Sequence, residues 1–225
     1  MYERIIKLIG IEKLNLIKSK SVMVIGLGGV GGYAVEGLIR SGIQNIIIVD
    51  YDKIDITNLN RQLITNTNNI GLNKTDVMEN HIKSINPNCN VTKINIKLNL
   101  DNIDILFEYK IDYLIDACDT IVVKQELIKR CINNKIKIIS SMGTGNKFNP
   151  SMLEIIDIRK TEYDPIAKKI RKYIKDNHIK GYIPVVCSKE QNKKFEGSIP
   201  SLMFVPATSG LLCSNYVIKD IIKDK

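Results

Sequence analysis

Residues 22 to 31 constrain this chain more than any other stretch. Val22 to Gly26 is a short, continuous apolar run closed by glycine, the pattern of a buried parallel strand. It leads into Gly26-Leu27-Gly28-Gly29-Val30-Gly31. From Gly29 to Ser41, Val30, Tyr33, Ala34, Gly37 and Leu38 recur at helical spacing before Gly42 can stop the helix. In such a strand–turn–helix the first glycine allows the tight turn and the second lets backbone approach a phosphate. The third lets helix and strand pack closely, and the helix N-terminus supplies a positive dipole. Asp50 ends the next apolar run, Asn45 to Asp50, where a carboxylate can accept from ribose hydroxyls. These features imply a nucleotide and leave open a dinucleotide oxidoreductase or an ATP-using adenylating enzyme.

The alternation continues along the chain. A helix is expected over Asn73 to Ile85, ended by Asn86-Pro87, then a strand over Val91 to Ile96 and another over Asp112 to Ala117. A helix over Val122 to Asn134 and a strand over Lys135 to Ser140 follow. This order predicts an α/β fold, a Rossmann-like, doubly wound, mostly parallel sheet with helices on both faces. Past Pro150 we expect a strand over Met152 to Ile158 and a basic helix over Asp164 to Asp176. A polar, mobile loop over Lys189 to Gly197 and a final helix over Ala207 to Ile222 complete the reading. One domain is expected across 1–225, with a nucleotide-binding core over 1–150 and a C-terminal helical and strand extension on the substrate side over 151–225.

With 225 residues, 44% hydrophobic and 25% charged, the chain falls in the ordinary folded range, which excludes disordered and fibrous classes. Ser198 to Ile218 carries no charge and is long enough to span a bilayer, but Pro200, Pro206, Asn215 and Ser209-Gly210 interrupt it. A buried strand plus core helix is expected there, with no stable membrane insertion. Met1-Tyr2-Glu3-Arg4 lacks the pattern of a secretory leader. Five cysteines without a C-x-x-C pair suit neither a disulfide framework nor a zinc ribbon, so a reducing, cytoplasmic setting is expected.

The stretch after Asp50 narrows the nucleotide question. Asp50-Tyr51-Asp52 continues through Asn58-Leu59-Asn60-Arg61-Gln62 to Gly71-Leu72-Asn73-Lys74. A dehydrogenase has no need of this cluster, and a triphosphate site does. Arg61 can hold two phosphate oxygens through its planar fork, and Lys74 can set a point charge on the α-phosphate. Asp119, just past the fourth strand, would hold Mg²⁺ bridging phosphate oxygens.

The ordered set G-L-G-G-V-G, V-D-Y-D, N-L-N-R-Q, G-L-N-K, I-N-P and D-A-C-D resembles the E1-like (ThiF/MoeB/HesA) superfamily of ATP-dependent activating enzymes. The resemblance implies a homodimer that adenylates a carboxylate with ATP and Mg²⁺ and releases pyrophosphate. It implies nucleotide contacts at Gly26, Gly28, Gly29, Gly31, Asp50, Asp52, Asn58, Arg61, Gln62 and Lys74, with metal binding by Asp119. The catalytic set it implies is Arg4, Arg61, Lys74 and Asp119. Arg4 resembles the N-terminal arginine that these enzymes insert into the partner subunit's ATP site.

Within the superfamily, Ser140 to Lys147, Asn149-Pro150, Asp157 to Thr161, Asp164-Pro165, Arg171 and Val205-Pro206 with Gly210 resemble the tRNA threonylcarbamoyladenosine dehydratase branch. The reaction so implied is ATP-dependent cyclisation of the threonylcarbamoyl group on an adenosine beside the tRNA anticodon. The alternative is adenylation of the C-terminus of a ubiquitin-like sulfur carrier. Against that alternative, carrier-activating members often hold structural zinc on two C-x-x-C pairs, and they usually have Asn where Thr120 stands. A sulfur-transfer partner and a monovalent cation at the site are left open.

His81 and His178 fall in helical or turn contexts and read as structural. Cys187 is the cysteine best placed for a covalent relay, and Cys89, Cys118, Cys131 and Cys213 read as small hydrophobes. A net charge of +9, with Lys168, Lys169, Arg171, Lys172 and Lys175 on one helix and Lys189, Lys193 and Lys194 beyond it, suits an RNA backbone.

Overall fold

In the computed structural model, which describes residues 1–191, 195–197 and 199–223, the apolar runs become neighbours in one sheet. Strands β1 (Ser21–Ile25), β2 (Asn45–Val49), β3 (Asn90–Ile94), β4 (Tyr113–Asp116) and β5 (Lys137–Ser141) fall on the five expected runs, and β6 (Leu153–Asp157) on the sixth. β7 (Pro184–Ser188) was not expected. It is five residues long and buried throughout, so it shows no alternation, and its leading proline masks it as a strand. The sheet order is β3-β2-β1-β4-β5-β7-β6; every neighbouring pair is parallel except β6 with β7.

Seven helices accompany the sheet among the described residues: α1 (Glu3–Ile9), α2 (Ile11–Lys18), α3 (Gly31–Arg40), α4 (Lys74–Ile85), α5 (Ile121–Asn133), α6 (Pro165–Asp176) and α7 (Phe204–Ile222). The crossovers part at β1. Leu38 and Ile39 of α3, Met78 and Ile82 of α4, and Val217 and Ile221 of α7 build the core on one face. Leu127 and Ile128 of α5, with Ile170 and Ile174 of α6, build the core on the other. The strand expected within Ser198 to Ile218 is not formed. The described residues up to Met203 are irregular, and α7 takes over at Phe204, burying its stripe against α3. That packing relies on small residues, since a Cβ on Gly210 would stand 2.1 Å from Val30 O.

The expected loop over Lys189 to Gly197 lies partly outside the described residues. Its first two residues are tied down: Lys189 N–H donates to Met152 O at 3.0 Å, and the Glu190 carboxylate accepts from the backbone of Phe148 and Asn149.

Where β4 and β5 end, a buried lysine pins them together. Lys124 of α5 is 1% exposed, and its Nζ donates to Asp116 Oδ2 at 3.0 Å and to Ser141 O at 2.9 Å. Burial works against the lysine's charge, but Asp116 opposite it holds the pKa above its ordinary value. Asp116 also accepts from Cys118 N–H at 3.2 Å, so the pair shapes the turn that leaves β4.

Two outcomes follow for stability. Lys124→Met leaves Asp116 buried without its cation and is expected to cost about 3–5 kcal/mol in urea unfolding; a loss under about 1 kcal/mol would show that the pin is dispensable. Gly210→Ala drives a methyl into the backbone of α3, with an expected cost of about 1–3 kcal/mol, read as a lower thermal midpoint.

Candidate functional site

The carboxyl ends of β1, β2, β4 and β5 open into a cleft of about 640 Å³. Its position follows from the sheet: strand order reverses between β1 and β4, and ligands collect at that edge. Gly26, Gly28, Gly29, Asp50, Asp52, Asn58, Arg61, Gln62, Lys74 and Asp119 all line this one cleft. Two of the nucleotide and catalytic residues that the resemblance implies do not. Gly31 sits beneath the turn, where a Cβ would stand 1.7 Å from Gly26 O, so it serves helix–strand packing. Arg4 is exposed on α1, outside the cleft of its own chain.

The glycine turn is held from behind. Gly26 has φ +85°, its N–H donates to Val49 O at 2.8 Å, and a Cβ there would stand 2.7 Å from Ala117 O. Asp50 Oδ2 accepts from Leu27 N–H at 2.6 Å, and its Oδ1 accepts from Asp52 N–H at 2.8 Å. The carboxylate therefore locks the turn to the end of β2 besides facing the cleft. No side chain caps α3; Gly32 N–H donates to Gly28 O at 3.1 Å, and the rest of the helix start is open to an anion.

A short 3₁₀ turn, Ile56–Asn58, presents the next group. Asp55 Oδ1 accepts from Thr57 N–H at 2.8 Å, and Asn58 Oδ1 accepts from Asp55 N–H at 3.1 Å, closing a reciprocal cap. Arg61 follows, with Nη1 donating to Thr57 O at 2.8 Å and to Asn60 Oδ1 at 2.9 Å. Arg61 and Gln62 flank the glycine turn: a Cβ on Gly29 would stand 3.4 Å from Arg61 Cγ, and one on Gly28 would stand 3.7 Å from Gln62 Nε2. Gln62 Oε1 is buried with no hydrogen-bond partner. Lys74, 4% exposed, places Nζ 2.9 Å from Asp52 Oδ2.

On the far side of the cleft stands Asp119, exposed beyond β4, with Thr120 Oγ1 donating to its Oδ1 at 3.3 Å. The carboxylates converge on Tyr51, whose phenol is pushed up by Asp52 first, then by burial, Asp119 and Asp50. The glycine turn, the uncapped helix start and the cations Arg61 and Lys74 suit a polyphosphate, while the orphaned Gln62 Oε1 can only accept and calls for a donor. Among the described residues no cluster of three His, Cys, Asp or Glu could hold a metal by itself. One open carboxylate beside a polyphosphate site is the donor set that Mg²⁺ uses when phosphates complete its shell.

Lys124 reads as one more surface lysine until its α5 face proves to be core. Ser141 to Lys147 and Asp164-Pro165 carry a family resemblance in the sequence, with no place at the site assigned to them; they and Ile166 line the cleft because β5 ends and α6 begins there. Asp164-Pro165, a cap residue before proline, was the available signal for the start of α6.

The remaining candidates fall away from the chemistry. His81 Nε2 lies 2.6 Å from Glu36 Oε2 and does not line the cleft; neither does His178. Cys187 is buried on β7, its thiol pushed up to about 12 chiefly by burial. That is the opposite of what a relay nucleophile needs. Cys118 lines the cleft, but burial first and Asp116 next also hold it as the thiol. Arg171 turns inward, donating to Thr161 O at 2.7 Å and to Thr161 Oγ1, so it leaves the exposed basic face to Lys168, Lys169, Lys172 and Lys175.

The chain is similar to known proteins over nearly its whole length. It is 39% identical to the tRNA threonylcarbamoyladenosine dehydratase of Bacillus subtilis (strain 168), over 96% of this chain and 92% of that protein. The enzyme of the same name from Escherichia coli (strain K12) is 36% identical, over 80% of this chain and 69% of that protein. A crystal structure of the E. coli dehydratase in complex with ATP superposes with a TM-score of 0.92 at 32% identity, covering 98% of this chain and 93% of that one. The ThiF family model matches residues 2–222, and the chain belongs to the ThiF family.

Proposed function

We propose that this chain is an ATP-dependent dehydratase that cyclises threonylcarbamoyladenosine in tRNA by adenylating its carboxylate. The observation that carries the reading is the convergence of the glycine turn, Asp50, Asn58, Arg61, Gln62, Lys74 and Asp119 on one cleft. It is supported by similarity to dehydratases of that name over most of the chain and by the ATP complex of one of them.

On this reading ATP is consumed as a substrate. The α3 N-terminus and the Gly28 and Gly29 backbone receive its phosphates, and Asp50 holds the turn while facing the ribose. Arg61 and Lys74 neutralise charge as it develops on the phosphorus and on departing pyrophosphate. Asp52 fixes Lys74 in place, so little freedom is lost when the phosphates arrive. Asp119 would hold Mg²⁺, which supplies charge neutralisation between phosphate oxygens when bound. A homodimer completes the site, Arg4 reaching the partner's cleft from α1. The residues past 150 form the substrate side, with the exposed lysines of α6 meeting tRNA phosphates. A cytoplasmic setting suits the five free cysteines, and among the described residues no helix is long and apolar enough to cross a membrane.

The central test is mass spectrometry of tRNA nucleosides after incubation with ATP and Mg²⁺. Loss of one water from the threonylcarbamoyl nucleoside is expected. Arg61→Ala or Asp119→Ala should lower the rate about 10²–10³-fold. Pyrophosphate exchange that responds to a Gly-Gly-ended small protein and ignores tRNA would replace this reading with carrier activation. For the dimer, mixing inactive Arg4→Ala and Arg61→Ala proteins should restore turnover, because one hybrid cleft then has both arginines; no recovery after subunit exchange would remove Arg4 from the site. Lys168→Glu with Lys172→Glu should raise the KM for tRNA, leave that for ATP unchanged and flatten the salt dependence by about one unit of log slope per lost phosphate contact.

A further inference from the structure

We propose that Asp164 is the general base for ring closure, taking the ureido N–H proton from the adenylated threonylcarbamoyl group. The inference rests on the dehydratase reading above and adds a residue that neither the phosphate contacts nor the metal carboxylate includes.

Asp164 stands at the head of α6 and is 3% exposed. Its Oδ1 has an ordinary task, accepting from Ala167 N–H at 2.8 Å as the helix cap. Its Oδ2 is buried with no hydrogen-bond partner. A buried carboxylate oxygen without a donor is costly, and such atoms call for an explanation in a ligand or a reaction. The position supplies one. Asp164, Pro165 and Ile166 line the same cleft as Arg61 and Asp119, and Gly143 lies alongside. A Cβ on Gly143 would stand 2.8 Å from Asp164 Oδ2, so the missing side chain keeps room at that oxygen.

The other titratable groups of the cleft are occupied or unsuited. Asp50 accepts two backbone N–H groups, Asp52 pairs with Lys74, and Asp119 is the carboxylate that the proposed function gives to Mg²⁺. Lys124 is paired with Asp116, and Cys118 is held as the thiol. Neither histidine lines the cleft. Asp164 is the buried carboxylate of the cleft with an unpartnered oxygen, whereas Asp119 is exposed to solvent.

The chemistry needs such a group. After the substrate carboxylate has displaced pyrophosphate, its carbon is bonded through oxygen to AMP. Closure forms one bond from the ureido group to that carbon and breaks the bond to the AMP oxygen, which leaves with the electron pair. Whether ureido nitrogen or ureido oxygen makes the bond, one N–H proton must depart. Asp164 Oδ2 receives it and returns it to water when the products leave. AMP carries off the carboxyl oxygen, so the nucleoside loses the elements of one water.

Asp164→Asn tests this, because asparagine caps a helix as well as aspartate and keeps the size while it cannot act as a base. The assays are tRNA-dependent ATP–pyrophosphate exchange, which precedes closure, and mass spectrometry of cyclic nucleoside and AMP in water enriched in ¹⁸O. Exchange is expected to proceed in the variant, while cyclic nucleoside forms about 10²–10⁴-fold more slowly. AMP should then exceed cyclic nucleoside, with ¹⁸O in the recovered open carboxylate as water intercepts the adenylate. Asp164→Ser, which also caps, should behave the same way. Closure at the wild-type rate in either variant overturns the proposal, as does an equal fall in exchange and closure, the signature of a folding or binding role. Should the wild-type protein show no tRNA-dependent exchange, the dehydratase reading itself fails, and this proposal falls with it.

Discussion

The whole arrangement depends on where the crossovers of a parallel sheet part company. From β1 the chain returns through α3 on one face, and from β4 it returns through α5 on the other. No helix can cover the carboxyl ends between them, so a crevice opens there and every loop that leaves those ends faces it. The glycine turn, the Asp50–Asp52 corner, the turn bearing Asp119 and the segment after β5 are those loops. The chemistry of the chain is concentrated there because the topology leaves that edge open.

Two carboxylates hold the edge in shape, and each spends its charge on structure. Asp50 spans β1 and β2 by accepting Leu27 and Asp52 N–H groups. Asp116 spans β4 and β5 through Lys124, whose ammonium also reaches Ser141 O. Both tie down backbone that a ligand must meet in a set geometry. That matters for a reaction carried by positioning and charge neutralisation, with no protein nucleophile among the buried thiols. Asp164 stands apart from them, since only one of its oxygens has a structural task.

The core elements and the phosphate side of the cleft are legible in the sequence. Apolar runs such as Val22 to Gly26 and Asn45 to Asp50, separated by helical stripes, announce buried parallel strands through local pattern alone. Arg61 and Lys74 were legible because too many polar and basic residues crowd the loops after β2. β7 was not: five buried residues behind a proline carry no period of two. The strand expected within the uncharged stretch from Ser198 onward does not form, and the basic helix lost Arg171 to an inward pair with Thr161. Each difference arises because burial on both sides, or a turn inward, is settled by neighbours far along the chain.

What sequence alone determined was which residues are chemically able: the spacing of glycines before a helix, carboxylates at strand ends and cations that follow them, all properties of neighbouring residues. Tertiary structure decided which of them meet, and in what state. It buried Lys124 against Asp116, turned Cys187 into the core and brought Asp164 from far down the chain to the cleft that the first glycines open. Those outcomes depend on strand order, and strand order is set by how two hydrophobic faces of one sheet are covered, which no local window of residues contains.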